Sequence, residues 1–165
     1  MTLILILTRH AKSSWDTPGL PDHDRPLNKR GRNSATAIGI WLRENGWTPD
    51  ELLSSSSART RETWDRMGFS ATDTTFTRAL YHASSTAMLD VLYGASGKTV
   101  MMLGHNPGIT GFAADLVETA PNHPRFFDYP TCATTVMEFP CESWQDVQPH
   151  SGKVLGFTVP RDLVT

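Results

Sequence analysis

Residues Leu3–Leu7 read Leu-Ile-Leu-Ile-Leu, with Thr8, Arg9 and His10 following at once. An aliphatic run this short cannot span a bilayer. It also lacks the polar alternation of a strand with one wet face. It fits a strand buried on both sides, which places the chain among folds whose helices cover both faces of a sheet. A second such run, Thr99–Leu103, ends in Gly104-His105-Asn106-Pro107-Gly108. Each run delivers a histidine to its carboxyl end, the edge at which open α/β sheets bind ligands.

The rest of the chain alternates in the same style. Asn28 is a suitable cap for a helix over about 29–45, with Ile38, Trp41 and Leu42 on one face and Asn45-Gly46 as the stop. Glu51–Ser54 predicts a short strand and Ala58–Met67 a helix. Thr75–Arg78 and Ser84–Leu92 repeat that pair. Pro107 suits the first position of a helix over about 108–118. Thr134–Phe139 and Lys153–Val159 read as strands separated by the loop 140–152. Residues 11–27 and 119–131 read as long loops, the second rich in Pro, His and Phe. Alternating strands and helices predict an α/β domain, and 165 residues suffice for one compact unit with its own core.

Composition narrows the function. The net charge is −2, but residues 1–66 hold ten of the fifteen Lys and Arg against eight acids, and the remainder holds five against nine. No domain-wide basic stripe for nucleic acid is present, while a local pocket for a small anion is compatible with this distribution. Leu3–Leu7 is preceded by neither a basic segment nor a small-residue cleavage site, so neither a signal peptide nor a membrane span is expected. Cys132 and Cys141 form no zinc or redox spacing, which suits free thiols in a cytoplasmic protein. There is no H-E-x-x-H pair for a metal hydrolase and no G-x-x-x-x-G-K-[ST] loop for a nucleotide triphosphatase.

Three segments carry the chemistry. Arg9-His10 sits at a strand end. Ser57-Ala58-Arg59-Thr60-Arg61 places Arg59 in the first turn of a helix, where free backbone N–H groups favour anions. Gly104-His105-Asn106-Pro107-Gly108 places His105 in a turn whose glycines permit close approach of a ligand. In this order, these segments resemble the histidine phosphatase, or phosphoglycerate-mutase-like, superfamily, and within it the small branch of bacterial phosphohistidine phosphatases. The likeness extends to Asp24–Gly31, Leu80–Ser84 and the tail Pro160–Leu163, covering nearly the whole chain.

The resemblance implies a single three-layer αβα domain over residues 1–165 with a mostly parallel central sheet. It implies that His10 is the nucleophile, that Arg9 and Arg59 bind phosphoryl oxygens, and that His105 completes the pocket. Ser13 stands where relatives carry Ser or Thr near the phosphate. Lys12, Arg25 and Lys29 lie in segments that could line the pocket, and the sequence does not choose between that and exposed loop positions. No cofactor and no metal is expected. The implied partner is a phosphohistidine-bearing protein, such as a phosphorelay carrier domain, acted on by a cytoplasmic monomer. A phosphoryl group in flight spreads charge over its equatorial oxygens, and planar guanidinium forks match them. A nucleophilic imidazole must be neutral, which neighbouring guanidinium groups favour and a bound phosphate dianion opposes.

Three departures from the family pattern matter. Ala11 replaces the glycine that often follows the Arg-His pair. Asp16 stands where many relatives have Asn, so it should point away or pair with Lys12. Ester-cleaving relatives carry a carboxylate acid between the Arg59 helix and the Gly-His strand, yet Arg78–Ala87 contains no Asp or Glu. An alkoxide leaving group needs a proton, whereas a phosphohistidine can be protonated on nitrogen beforehand. The gap favours a phosphohistidine substrate, with His82 or Asp16 as remaining donors. The alternative readings are a phosphatase of small esters or anhydrides and, less favoured because His10 is present, a non-catalytic phosphate-binding module.

Overall fold

The computed structural model describes residues 2–71 and 73–163. Among these residues six strands form one sheet: β1 (Leu3–Arg9), β2 (Glu51–Ser55), β3 (Asp73–Thr77), β4 (Thr99–Gly104), β5 (Thr134–Phe139) and β6 (Lys153–Thr158). Their order is β3-β2-β4-β1-β5-β6. β1 pairs in parallel with β4, as do β2 with β4 and β2 with β3, while β5 runs antiparallel to both β1 and β6. The sheet is therefore parallel except at β5.

Among the described residues five helices accompany it: α1 (Lys29–Glu44), α2 (Ala58–Met67), α3 (Ser85–Tyr93), α4 (Gly108–Leu116) and a short α5 (Pro160–Leu163). Ile6, Met101, Leu103 and Val136 point to one face and pack with Ile38 and Leu42 of α1 and Trp64 and Met67 of α2. Leu5, Leu7, Val100 and Met102 point to the other and pack with Met88 and Leu92 of α3 and Phe112 and Leu116 of α4. The period-two alternation of a strand thus feeds two cores at once, which is why Leu3–Leu7 of β1 and Val100–Leu103 of β4 are unbroken apolar runs. Each fully buried Leu contributes about 1.5–3 kcal/mol, so this double burial anchors β1 and β4, the strands that deliver His10 and His105.

Local signals in the sequence fix most boundaries. The Asn28 side chain accepts from the Gly31 amide at 2.8 Å, and Gly46 turns the chain at φ 77° after α1. Ser57 and Ser84 cap α2 and α3. Pro107 lies one residue before α4 rather than inside it. The loop 140–152 contains a short helical turn at Trp144–Asp146, pinned by the buried Trp144, whose indole donates to the Gly97 carbonyl at 2.7 Å. The loop 11–27 likewise contains a turn at Asp22–Asp24. None of the helices is long and apolar enough to cross a membrane, among the described residues.

Candidate active site

The register of the sheet brings the two histidine segments together. Arg9 pairs with Gly104 across β1 and β4, and the His10 amide donates to the Gly104 carbonyl at 3.1 Å. The His10 and His105 rings stand 5.1 Å apart between centroids. A cleft of about 420 Å³ opens over them, and Arg9, Lys12, Ser13, Asp22, Arg25, Arg59 and His82 contribute to its walls.

The His10 ring is buried, and its Nδ1 lies 2.7 Å from the Ala11 carbonyl. A carbonyl can only accept, so Nδ1 carries the proton and Nε2 keeps its lone pair for the cleft. Ala11 itself is buried, and its amide donates to Thr63 of α2 at 3.0 Å. His105 has the opposite tautomer. Arg59 lies 3.3 Å from its Nδ1 and can only donate, so Nε2 carries the proton and donates to Ser55 Oγ at 2.8 Å.

Arg59 is almost wholly buried, and it reaches the cleft from the first turn of α2. Its guanidinium donates to the Asp22 carbonyl at 2.8 Å and to the Asp22 carboxylate at 3.0 Å. Arg9 donates to the Tyr129 carbonyl at 3.2 Å, and its Nε is buried without a partner among the described residues. Tyr129 is held in turn by its hydroxyl, which donates to the Leu7 carbonyl at 2.7 Å. The loop 119–131 thus acts as a bracket beneath Arg9 and also carries Thr131 into the cleft wall.

Similarity to known proteins fits this geometry. The family model of the histidine phosphatase superfamily (branch 1) matches residues 5–81. An uncharacterized protein of Mycobacterium tuberculosis is 31% identical over 160 residues, spanning 93% of this chain and 99% of that protein. The chain belongs to the histidine phosphatase superfamily. Within that superfamily its structure is SixA-like. It superposes on a candidate phosphohistidine phosphatase, SixA, of Nakamurella multipartitia with a TM-score of 0.83 at 26% identity, covering 97% of both chains. A like-named protein of Agrobacterium tumefaciens gives 0.76 at 25% identity, covering 96% of this chain and 98% of that one.

For this histidine phosphatase, the five residues singled out by sequence, Arg9, His10, Ser13, Arg59 and His105, all line one cleft. Lys12 and Arg25 join them, while Lys29 does not. Arg25 is buried, donates to the Asp22 carboxylate at 2.8 Å and to the Ser13 hydroxyl, and lies 3.4 Å over the exposed Trp15 ring. Asp16 is exposed and absent from the cleft wall, and no ion pair joins it to Lys12 among the described residues. Gly104 and Gly108 serve packing rather than ligand approach. A side chain on Gly108 would strike the Ala83 carbonyl, and one on Gly104 would crowd Met88.

Sequence reasoning missed Asp22, the only acid lining the cleft among the described residues. It accepts from Arg25, Arg59 and Tyr81, and His82 Nε2 lies 3.1 Å away. Its partial burial favours the neutral acid, but the hydrogen bonds of Tyr81, His82 and Arg59, together with the Arg59 charge, outweigh that and hold the carboxyl well below the usual range. A Pro21-Asp22 turn opening was the available signal.

The two histidines carry a pH signature. Burial above all lowers His10 from 6.5 to about 3; the Ala11 hydrogen bond opposes this and the charges of Arg59, Arg9 and Arg25 add to it. Burial, reinforced by His10, Arg59 and His82 against Asp22, lowers His105 to about 2. Well above pH 6.5 both rings are neutral whether the chain is folded or not. As the pH drops toward 3 the unfolded chain takes up protons that the folded chain refuses, so stability falls with pH. The slope is up to about 1.4 kcal/mol per pH unit for each ring. Asp22 adds little slope between pH 6.5 and 5, because its own contribution is lost as the pH falls below about 5. Thermal melting should show Tm falling between pH 6.5 and 5, with a flatter decline in the His10→Asn/His105→Asn double variant. A wild-type Tm that is constant over that interval would contradict these protonation states.

Proposed function

We propose that this chain is a phosphohydrolase that removes the phosphoryl group from phosphohistidine in a protein, passing it through His10 to water. The His10 tautomer supports the first half of this reading. A neutral ring with Nε2 free toward the cleft is ready to attack phosphorus, while Arg9, Arg25, Arg59 and Lys12 surround the space where phosphoryl oxygens would sit. The P–N bond of the substrate breaks as the His10 P–N bond forms. Water then attacks the phosphorus of phospho-His10 and releases inorganic phosphate. Arginine charge serves the purpose that a divalent metal serves elsewhere, so the reading requires no metal.

The observation that carries the substrate assignment is the state of Asp22. It is the one carboxyl lining the cleft among the described residues, and its partners hold it ionised, so it has no proton to give. A leaving group that brings its own proton, as an N-protonated phosphohistidine does, fits such a site. Alkyl esters should suffer most, because general acid assistance is worth about 10²–10⁴-fold. One observation favours a second reading. His82 also lines the cleft, hydrogen-bonded to Asp22, and a protonated imidazole there would serve esters.

Rates on a series of phosphate esters, plotted against leaving-group pKa beside a phosphohistidine carrier domain, separate the two readings. The proposal expects a steep plot, with alkyl esters slowest and the carrier domain fastest in kcat/KM. A flat plot abolished by His82→Ala would make a small-ester phosphatase the better description.

A further inference from the structure

A second recess of about 210 Å³ adjoins the catalytic cleft and shares Lys12 and Thr131 with it. A third, of about 560 Å³, continues across α1 and α5 and shares Arg30 and Arg161 with the second. Lys12, Lys29, Arg30, Arg125 and Arg161 line this path, and no Asp or Glu does. The chain as a whole carries −2, so this face departs sharply from the average. Asp128 and Asp162, close in sequence to Arg125 and Arg161, are already engaged, with Arg125 at 2.9 Å and with His123 at 2.7 Å, and Asp16, four residues after Lys12, lines none of the three recesses. Lys12, Lys29, Arg30 and Arg161 form no ion pair with any described residue.

We propose that this basic path is a docking surface for an acidic face of the phosphorylated protein, next to its phosphohistidine. The inference rests on the phosphohistidine reading above. The cations stand on four separate segments: the loop after β1, α1, the loop 119–131 and α5. All are exposed, and a solvated cation gains about 1 kcal/mol or less from a single counter-charge. A small anion meets one or two of them and gains little. A protein surface carrying several acids meets the whole array, which raises the encounter rate and fixes the approach. No aromatic side chain lines the second or third recess, so the path lacks the stacking platforms with which single-stranded nucleic acid is held.

The test uses Arg30→Gln with Arg161→Gln, two exposed positions outside the catalytic cleft. At low salt, kcat/KM on a phosphohistidine carrier domain with an acidic face should fall about tenfold or more, chiefly through KM. Added salt should bring the wild type down toward the variant. Aryl phosphate turnover should stay within about twofold, since the phosphoryl pocket is untouched. Unchanged carrier turnover in the variant, or an equal loss on aryl phosphate, would overturn the proposal. If the wild type itself leaves the phosphorylated carrier intact, the phosphohistidine reading fails and the surface is then judged alone with an oligoglutamate peptide. Salt-sensitive binding to the wild type that is lost in the variant supports an acidic protein partner. Equal binding to both proteins, or tighter binding of a single-stranded oligonucleotide, overturns it.

Discussion

His10→Ala is expected to lower kcat by on the order of 10⁴–10⁶-fold, the scale seen when a covalent nucleophile is lost. Of the paired histidines at the ends of β1 and β4, His10 alone keeps a lone pair for the cleft, because Ala11 holds Nδ1 and leaves Nε2 free, whereas His105 spends both nitrogens on Arg59 and Ser55. Removing it strands no charge, since His10 is neutral at working pH. The fold should therefore survive, and inorganic phosphate should still bind among Arg9, Arg25 and Arg59. The signature is a collapse of kcat with near wild-type phosphate affinity, measured by steady-state kinetics and equilibrium titration. A variant retaining more than about a tenth of wild-type kcat would remove His10 from the chemistry.

Arg59→Ala should cost about 10²–10³-fold in kcat/KM, the scale of losing one donor aimed at developing negative charge. The effect has two parts. A buried fork disappears from the phosphoryl pocket, and Asp22 loses the partner at 3.0 Å that neutralises it beside the incoming dianion. Arg59→Lys should recover little, because a single ammonium cannot hold the Asp22 carbonyl, its carboxylate and His105 Nδ1 together. Kinetics on one aryl phosphate, after circular dichroism has confirmed the fold, checks both variants. Wild-type turnover in Arg59→Ala would take Arg59 out of the site.

The elements that position the pocket were legible because local chemistry dictates them. Unbroken apolar runs marked β1 and β4, Asn28 marked the start of α1, and Asn45-Gly46 its end. Arg9, His10, Arg59 and His105 each end, follow or start such an element, and the family resemblance gave them their expected roles. What escaped notice depends on distant pairings. Asp22 meets Arg59, Tyr81 and His82 across sequence separations of 37, 59 and 60 residues, from a proline-bearing loop with no periodicity to read. Arg25 reads as a loop cation until its burial against Asp22, Ser13 and Trp15 is seen. The antiparallel course of β5 was equally hidden, because an apolar strand buried on both faces carries no mark of its direction. The loop 119–131 gave its length but not its role, which comes from Tyr129 tucking its hydroxyl under β1.

The central claim is phosphoryl transfer through a covalent phospho-His10. A carrier domain labelled with ³²P on its histidine, mixed rapidly with the enzyme and quenched in alkaline detergent, tests it directly. The account predicts a transient label on the enzyme that survives alkali, is released by mild acid, maps to the peptide containing His10 and is absent from His10→Ala. Label on a carboxylate, or a labelled His10→Ala enzyme, would contradict it.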